Sequence, residues 1–284
     1  MVTRVPGQRA RSALAGGVGA RFADVRWVPE TGSTNVDVMA LARDGAPEGV
    51  VIVADHQTAG RGRAGRSWDA PPGASLLASV LLRPPSSAVD LTTMAVAVSA
   101  AEAIESLAGF APRLKWPNDL VWPGDGSAPD RKLAGILAEA DWPAGSTPDA
   151  GYRVPDPDER LAVVVGIGIN VDWPQSLPDD LADLAIACNH ISDRPIDREA
   201  LLVALLERLA TWYPVLVAGD REPLLAAWRA RSATLGRLVR VDLGREQIEG
   251  VAADITPSGH LVVETEHGPR RIAVGDVVHL RPYP

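Results

Sequence analysis

Cysteine is nearly absent from the 284-residue sequence, in which Cys188 is the single thiol. One thiol forms neither an internal disulfide nor a cysteine-based zinc site, so we expect a reducing, cytoplasmic compartment. The five histidines show neither HxxxH nor HExxH spacing, which argues against a dedicated zinc site. Uninterrupted apolar runs fall short of the roughly 18 residues that a membrane span requires, so no membrane association is expected.

Basic residues are outnumbered, since 36 acidic residues against 28 basic ones give a net charge of −8. This balance argues against a chain that coats nucleic acid, although it is compatible with a local basic site. Lysine is scarcer still, because Lys115 and Lys132 are the two lysines among those 28 residues. An ammonium is a compact charge that the planar guanidinium of arginine does not reproduce, so both lysines are candidate functional residues. Chance is the alternative explanation.

The chain divides into three segments that differ in composition and in predicted secondary structure. Residues 1–20 contain three arginines, a glycine-rich run and no acidic residue, and we expect a disordered tail there, with a transit peptide as the alternative. Such a tail is too short for a helix-turn-helix domain, so DNA binding is not expected. Residues 21–235 mix helix and strand patterns as the main domain, and residues 236–284 carry short strand patterns typical of a small SH3-like barrel.

An α+β fold follows from the predicted elements. Helices are predicted at 35–43, 90–107, 197–217 and 223–231, and strands of the main domain at 50–54, 75–82, 133–140 and 161–170. The barrel strands are predicted at 238–241, 248–255, 261–265, 271–274 and 277–280. Asp90 is expected to cap its helix and Gly109 to follow the end of that helix. Segments 122–131 and 141–160 carry no motif and are expected to be solvated insertions.

The densest group of candidate ligand-binding residues is the segment 57–68, QTAGRGRAGRSW. Its glycines fit the GxGxxG spacing of a dinucleotide site, but prolines and a strand follow where that fold needs a helix, so this interpretation is rejected. Glycines let backbone N–H groups turn toward an anion, and Arg61, Arg63 and Arg66 add contacts to phosphate or carboxylate. The segment therefore predicts an anion-binding loop, with a solvated hairpin tip as the alternative.

Both lysines lie in short motifs. In LKWPNDL, Lys115 precedes a turn that holds Asn118 and Asp119, and the motif either presents these groups together or forms a plain solvated turn. In RKLAGIL, Lys132 stands at the start of a predicted buried strand, where an ammonium can neutralise an oxyanion. Gly135 in that strand permits close approach by a ligand.

Two further motifs have a structural alternative. In VGIGIN, residues 165–170, glycines alternate along an apolar strand, so one face either accepts a flat ring or packs tightly against a helix. In TGSTN, residues 31–35, the polar residues precede a predicted helix, and a plain helix cap is their commonest role.

The order TGSTN, QTAGRGRAGRSW, KWPND, KLAGIL, GIGIN resembles the biotin protein ligases over about residues 27–175, and the barrel matches their layout. The resemblance implies a catalytic domain with a mixed β-sheet flanked by helices, related to class II aminoacyl-tRNA synthetases, and an SH3-like C-terminal domain. Members that repress genes carry an N-terminal DNA-binding domain, for which this chain lacks room, so the monofunctional type is expected.

The resemblance also implies a reaction. Biotin and ATP form biotinyl-5′-AMP with release of pyrophosphate, and biotin then passes to a lysine of a biotin carboxyl carrier domain of acyl-CoA carboxylases. Mg²⁺ is expected on the ATP phosphates, with protein ligands unknown. A monomer or weak homodimer is expected.

Each site residue takes an expected role from the resemblance. The expected catalytic residues are Lys132, Arg61 and Arg63. Those expected to bind biotin are Ser33, Thr34, Asn35, Gln57, Arg61, Gly62, Arg63 and Lys132. Those expected to bind ATP or the adenylate are Arg61, Arg63, Arg66, Trp68, Lys115, Asn118, Asp119, Lys132, Gly168 and Asn170.

Two alternatives and one departure from the family pattern accompany this hypothesis. A lipoate-type ligase of the same fold is the first alternative, and a non-catalytic regulator that binds biotin or its adenylate is the second. Ala64 stands where family members often carry another basic residue, so retention of the adenylate is the property most in doubt.

Overall fold

A computed structural model describes residues 6–124, 129–142, 156–177, 179–244, 246–273 and 275–280. Its helices are α1 Gln8–Leu14, α2 Thr34–Arg43, α3 Thr92–Ala108, α4 Asp179–Ala182, α5 Arg198–Val217 and α6 Glu222–Arg231. The strands before residue 171 are β1 Val25–Thr31, β2 Val51–Gln57, β3 Ser75–Leu82, β4 Arg113–Lys115, β5 Asp119–Trp122, β6 Arg131–Asp141 and β7 Ala162–Asn170. The strands after residue 237 are β8 Leu238–Asp242, β9 Gln247–Ile255, β10 Leu261–Thr265, β11 Gly268–Ile272 and β12 Asp276–His279.

Two sheets organise these strands, and they confirm the predicted α+β class with a mixed sheet. The first has the order β1-β2-β3-β7-β6-β5-β4, in which β1 and β2 are parallel and the other neighbours antiparallel. Strand β3 is buried along its whole length, as its nearly continuous apolar sequence requires. The second sheet is antiparallel in the order β11-β10-β9-β8-β12 and forms the C-terminal barrel domain.

Helix α3 is the core helix of the main domain. Its Ala- and Val-rich sequence is apolar around most of its circumference, and twelve of its residues are buried. The segments 86–108 and α5 are each long and apolar enough to cross a membrane, although neither contains a long uninterrupted apolar run. Their packing against each other in the core accounts for that apolar character.

The N-terminal segment differs from the expected disordered tail. Residues 8–14 form α1, and residues 18–22 form a 3₁₀ turn, both packed against α5. Ala10 and Leu14 are fully buried, and Arg11 donates a hydrogen bond of 2.8 Å to the Val25 carbonyl of the edge strand β1. An apolar pair at helical spacing outweighs the flexible composition here, whereas residues 1–5 lie outside the described residues.

Several helix and strand boundaries differ from the predicted ones. Asp90 does not cap α3, because a 3₁₀ turn over Ser86–Leu91 precedes the helix, whereas Gly109 follows its end with φ 76° as predicted. The fourth barrel strand is Gly268–Ile272 rather than 271–274, because the hairpin turns immediately after β10. Strands β1, β4 and β5 were not predicted. Of the two expected insertions, residues 125–128 and 143–155 lie outside the described residues.

The segment that joins the main domain to the barrel extends the large sheet. Ser232 forms a parallel bridge with Leu114 of β4, and the Trp116 amide donates to Thr234 Oγ1 at 3.0 Å. The Trp116 indole donates to the Gly259 carbonyl of the barrel at 3.0 Å. These contacts place the barrel beside β4, next to one of the candidate lysine motifs. The domain boundary near residue 235 stays a prediction.

The same junction contains an ion pair whose carboxylate is buried. Asp130 accepts from Arg237 at 2.8 Å and contacts His279 Nδ1 at 2.9 Å. Burial alone would raise the pKa of Asp130, but hydrogen bonds from His279 and the Gly124 amide and the charge of Arg237 lower it to about 2. Burial lowers the pKa of His279, and the hydrogen bond with Asp130 partly offsets this effect.

Candidate active site

A cavity of about 110 Å³ lies between the N-terminus of α2, the arginine-rich loop and strands β6 and β7. Twelve of the fifteen predicted site residues line it: Ser33, Thr34, Asn35, Gln57, Arg61, Gly62, Arg63, Arg66, Trp68, Asn118, Lys132 and Gly168. The other three, Lys115, Asp119 and Asn170, do not line the cavity. A larger groove of about 610 Å³ shares Arg61, Gly62, Arg63 and Asn118 with the cavity and extends to the barrel.

Lys132 is held from both its side chain and its backbone. Its Nζ forms an ion pair with Asp119 Oδ1 at 2.7 Å and lies 5.3 Å from the ring centre of Trp68. Its amide donates to the Leu184 carbonyl at 2.7 Å, and its carbonyl accepts from Ile186 at 2.9 Å. Asp119 therefore acts on Lys132 and does not face the cavity. This arrangement presents one ammonium in a fixed position, as stabilisation of a developing negative charge requires.

The KWPND turn stands next to Lys132 through strand pairing. Lys115 and Asp119 are directly opposite each other in the β4–β5 pair. Burial lowers the pKa of Lys115, and the nearby carboxylates of Asp119 and Asp130 partly offset this effect. Asn118 donates to the Ile136 carbonyl at 2.7 Å and accepts from Arg63 Nη1 at 3.2 Å. Its side chain thus fixes the arginine loop to β6.

The arginine-rich loop forms a short hairpin. Arg61 and Ser67 bridge across it, and the Gly62 amide donates to the Arg66 carbonyl at 2.7 Å. Ala64 at the tip has a positive φ of 54°, a conformation that a side chain rarely adopts. The tip is therefore a tight turn, and the loop holds its arginines above the cavity.

Two of the loop arginines also reach the barrel. Arg63 Nη1 lies 3.5 Å from the Gly275 carbonyl, and Arg66 forms an ion pair of 2.9 Å with Asp276. Burial lowers the pKa of Arg63, and the charge of Asp276 partly compensates. A desolvated guanidinium of this kind gains more from an anionic ligand than an exposed one does.

A chain of polar side chains runs beneath the cavity. Gln57 Oε1 accepts from the Thr34 amide at 2.8 Å, and the Thr34 hydroxyl lies 2.7 Å from that of Ser79. Ser79 donates to Asn35 Oδ1 at 2.6 Å, and Asn35 Nδ2 donates to Glu139 at 2.8 Å. The amide of Asn35 is thus occupied within the protein, so it orients its neighbours rather than offering free hydrogen-bonding groups.

Sequence reasoning missed Ser79 and Glu139. Ser79 is the one polar residue in the interior of strand β3, which begins at Ser75, and Glu139 stands seven residues after Lys132 on β6. The interruption of an apolar strand by one polar residue is the signal that could have identified Ser79. No motif indicated Glu139, because its partners Arg61 and Asn35 are distant in sequence.

Glycines shape the wall of the cavity, and a protein side chain lies against them where the sequence suggested a ligand or a helix. Gly135 and Gly168 are opposite each other in the β6–β7 pair, and a methyl group at Gly168 would stand 2.5 Å from the Trp68 ring. The indole nitrogen of Trp68 is buried without a hydrogen-bond partner in the described structure, and so is Oδ1 of Asn170. Asn170 Nδ2 donates to the Ile186 carbonyl at 3.1 Å, which supports the backbone beside Lys132.

Comparison with known proteins identifies the family to which this chain belongs. Residues 30–150 match the Biotin/lipoate A/B protein ligase family, and residues 234–280 match the Biotin protein ligase C terminal domain. The biotin–[acetyl-CoA-carboxylase] ligase of Mycobacterium tuberculosis is 37% identical over 94% of this chain and 92% of its own length. The chain belongs to the biotin protein ligase family.

Other members of the biotin protein ligase family agree in sequence and in fold. The bifunctional ligase/repressor BirA of Bacillus subtilis is 31% identical over 86% of this chain and 70% of its own length. The biotin protein ligase of Aquifex aeolicus, solved in complex with biotin and ATP, has a TM-score of 0.71 at 26% identity. That similarity covers 91% of this chain and 99% of the Aquifex aeolicus chain.

Proposed function

We propose that this biotin protein ligase activates biotin with ATP and transfers it to a lysine of a biotin carboxyl carrier domain. A biotin carboxylate oxygen bonds to the α-phosphorus of ATP, and pyrophosphate leaves with the electrons of the broken P–O bond. The carrier amine then attacks the acyl carbon, and AMP leaves. The observation that carries this proposal is the Lys132–Asp119 ion pair beneath the arginine loop, in a chain of this family.

The first step brings a carboxylate and a triphosphate together, so its transition state needs fixed cations. We assign this role to Lys132, held by Asp119, and to Arg61 and Arg63 of the loop. We assign contact with biotin to Ser33, Thr34 and Gln57, which line the floor of the cavity, and to Gly62 of the loop. The residues assigned to the adenylate are Arg66, Trp68, Lys115, Asn118, Gly168 and Asn170, the last acting through the backbone near Lys132.

Magnesium enters this scheme with ATP. The described residues contain no group of three or more His, Cys, Asp or Glu side chains arranged to hold a metal ion. Mg²⁺ prefers oxygen ligands and keeps several waters and phosphate oxygens, so few protein ligands are needed. Asp119 is paired with Lys132 and the Asn118 oxygen accepts from Arg63, so neither is assigned as a ligand of the ion. When bound, the ion neutralises phosphate charge.

The carrier lysine needs a route to the acyl carbon. The groove of about 610 Å³ opens into the cavity at Arg61 and Arg63, and its walls include Asp90 and Glu139. The groove thus gives the carrier lysine a way to the cavity past the arginine loop. Monomeric or weakly dimeric assembly, the lack of DNA binding and a cytoplasmic location stay predictions.

The test is incubation of the protein with ATP, magnesium, biotin and a biotinyl carrier domain, followed by the intact mass of the carrier. We expect one added biotinyl group per carrier, dependent on ATP. Lipoate in place of biotin is the control for acid specificity, and modification by lipoate alone would favour the lipoate-ligase alternative. Binding of biotin with neither pyrophosphate release nor transfer would contradict the proposal and favour a regulator.

A further inference from the structure

Glu139 lies between the arginine loop and the floor of the cavity. Its Oε1 is 3.1 Å from Arg61 Nη2, and its Oε2 accepts from Asn35 Nδ2 at 2.8 Å. The two partners approach from opposite sides, since Arg61 belongs to the loop and Asn35 to the first turn of α2. One carboxylate therefore touches both halves of the candidate site.

The carboxylate and the Leu137 carbonyl together fix the orientation of the amide in the polar chain beneath the cavity. An ionised carboxylate only accepts hydrogen bonds, so it takes the NH₂ group of Asn35 and turns Oδ1 toward Ser79. Ser79 donates its single proton to that oxygen, so it can only accept from Thr34, whose hydroxyl is also within donating distance of Gln57 Oε1 at 3.0 Å. The order set at Asn35 therefore extends to Ser79, whereas Thr34 has a choice of two acceptors.

The residues beneath the cavity are buried, whereas the loop residue Arg61 is exposed, so a lost hydrogen bond costs more beneath the cavity than at the loop. Asn35, Ser79 and Thr34 are 5%, 1% and 3% exposed, so an unsatisfied group there would be costly. The Arg61 side chain is 51% exposed, and an ion pair in such a position adds little to stability. The contact with Arg61 thus serves orientation more than folding.

We propose that Glu139 is a positioning residue that couples the biotin end of the cavity to the arginine loop. The proposal rests on the proposed function, because it concerns retention of the adenylate that the loop covers. With one N–H of Arg61 held by Glu139, the rest of the guanidinium is directed toward the ligand. The floor and the loop are then ordered by the same charge.

The variant that isolates this role is Glu139→Gln. Its amide oxygen can still accept from Asn35, whereas its NH₂ group cannot accept from Arg61. We expect biotinyl-AMP to dissociate at least about fivefold faster, the low end of a typical coupling between two sites. Asp141→Asn is the matched control, because Asp141 stands two residues further along β6 and pairs with Arg43 at 3.1 Å, outside the cavity. Its release rate should equal that of the wild type.

The double variant Arg61→Ala/Glu139→Gln separates coupling from general damage. If Glu139 acts through Arg61, Glu139→Gln adds nothing to the faster release caused by Arg61→Ala. Unchanged or slower release from Glu139→Gln, or a full effect in the Arg61→Ala background, would overturn the inference. Absence of adenylate with the wild-type protein would overturn the proposed function and this inference together. Thermal midpoints of all variants identify a folding defect.

Discussion

At the scale of single residues, the two lysines of this chain differ in environment. Lys132 is paired with a carboxylate and stacked near an indole, whereas burial lowers the pKa of Lys115. A paired ammonium keeps its charge and its position, which suits a reacting centre. A desolvated ammonium gains most when an anion arrives, which suits a phosphate-binding group.

Replacement of Lys132 by alanine should separate catalysis from folding. We expect the rate of adenylate formation to fall by about 10²–10³-fold, the cost of one lost contact to a developing oxyanion. The substitution also leaves the buried Oδ1 of Asp119 without its cation, so any loss of stability has to be measured beside the loss of rate. Pyrophosphate release measures the first quantity and thermal unfolding the second.

Arg131→Ala is the control for that experiment, because Arg131 is the neighbouring cation on the same strand and does not line the cavity. It should leave the adenylation rate unchanged. An undiminished rate in Lys132→Ala would refute the assignment of Lys132.

At the scale of elements, strand β7 is shaped by two glycines with different neighbours. A methyl group at Gly166 would overlap Asn35 Oδ1, which is fixed by Ser79. A methyl group at Gly168 would meet the Trp68 ring, which is partly exposed and can move away. Substitution by alanine therefore tests the buried polar chain at Gly166 and the contact with the Trp68 ring at Gly168.

We expect Gly166→Ala to lower the free energy of unfolding by about 1–3 kcal/mol, the usual cost of forcing extra volume into a packed site. Gly168→Ala should cost less stability but raise the KM for ATP, because displaced Trp68 would disturb the adenylate site. Denaturant unfolding and steady-state kinetics measure the two effects. Gly16→Ala, with no heavy atom within 4 Å of the added carbon, is the control. Equal stability losses at positions 166 and 168 would contradict this distinction.

The elements with strong local patterns were predictable from sequence, because their signals are local. Helix α2 and strands β3 and β10 agree with their predicted bounds to within a residue. Strand β1 was missed because Pro29 and alternating charges obscure its pattern, and β4 and β5 because each has at most four residues. Their existence depends on pairing partners elsewhere in the chain.

The candidate site follows the same rule. Lys132 and the arginine loop were identifiable because their chemistry is concentrated in short motifs. Glu139 was not, because its meaning comes from contacts with residues 78 and 104 positions away. Likewise, Asn170 supports the backbone near Lys132 and does not line the cavity, a distinction that a motif does not contain.

At the scale of the whole molecule, the junction between the main domain and the barrel depends on Asp130. Its side chain is 7% exposed and contacts both Arg237 and His279 of the C-terminal segment. Because its pKa is lower in the folded protein than in the unfolded one, its contribution to stability is present above about pH 4. That contribution is lost as the pH falls through the folded pKa of about 2.

Asp130→Asn should therefore destabilise the protein by about 2 kcal/mol at neutral pH, which corresponds to the shift from 3.8 to about 2. The difference from the wild type should shrink as the pH falls below about 4. Denaturant unfolding at several pH values measures it. Glu249→Gln, which breaks an exposed pair with Arg240 inside the barrel, should change stability by well under about 1 kcal/mol. A difference independent of pH would rule out the charge of Asp130 as the cause.

The contacts at the two margins of the large sheet have a consequence for colloidal behaviour. Backbone groups on an outer strand can template pairing with other chains, which is a common origin of aggregation. The outer strand β4 is covered by the Ser232 bridge, while β1 contains Pro29, which lacks an N–H, and its Val25 carbonyl is bound by Arg11. Helix α1 and the segment before the barrel thus shield the outer strands. Deletion of either would expose backbone groups that can pair with another chain.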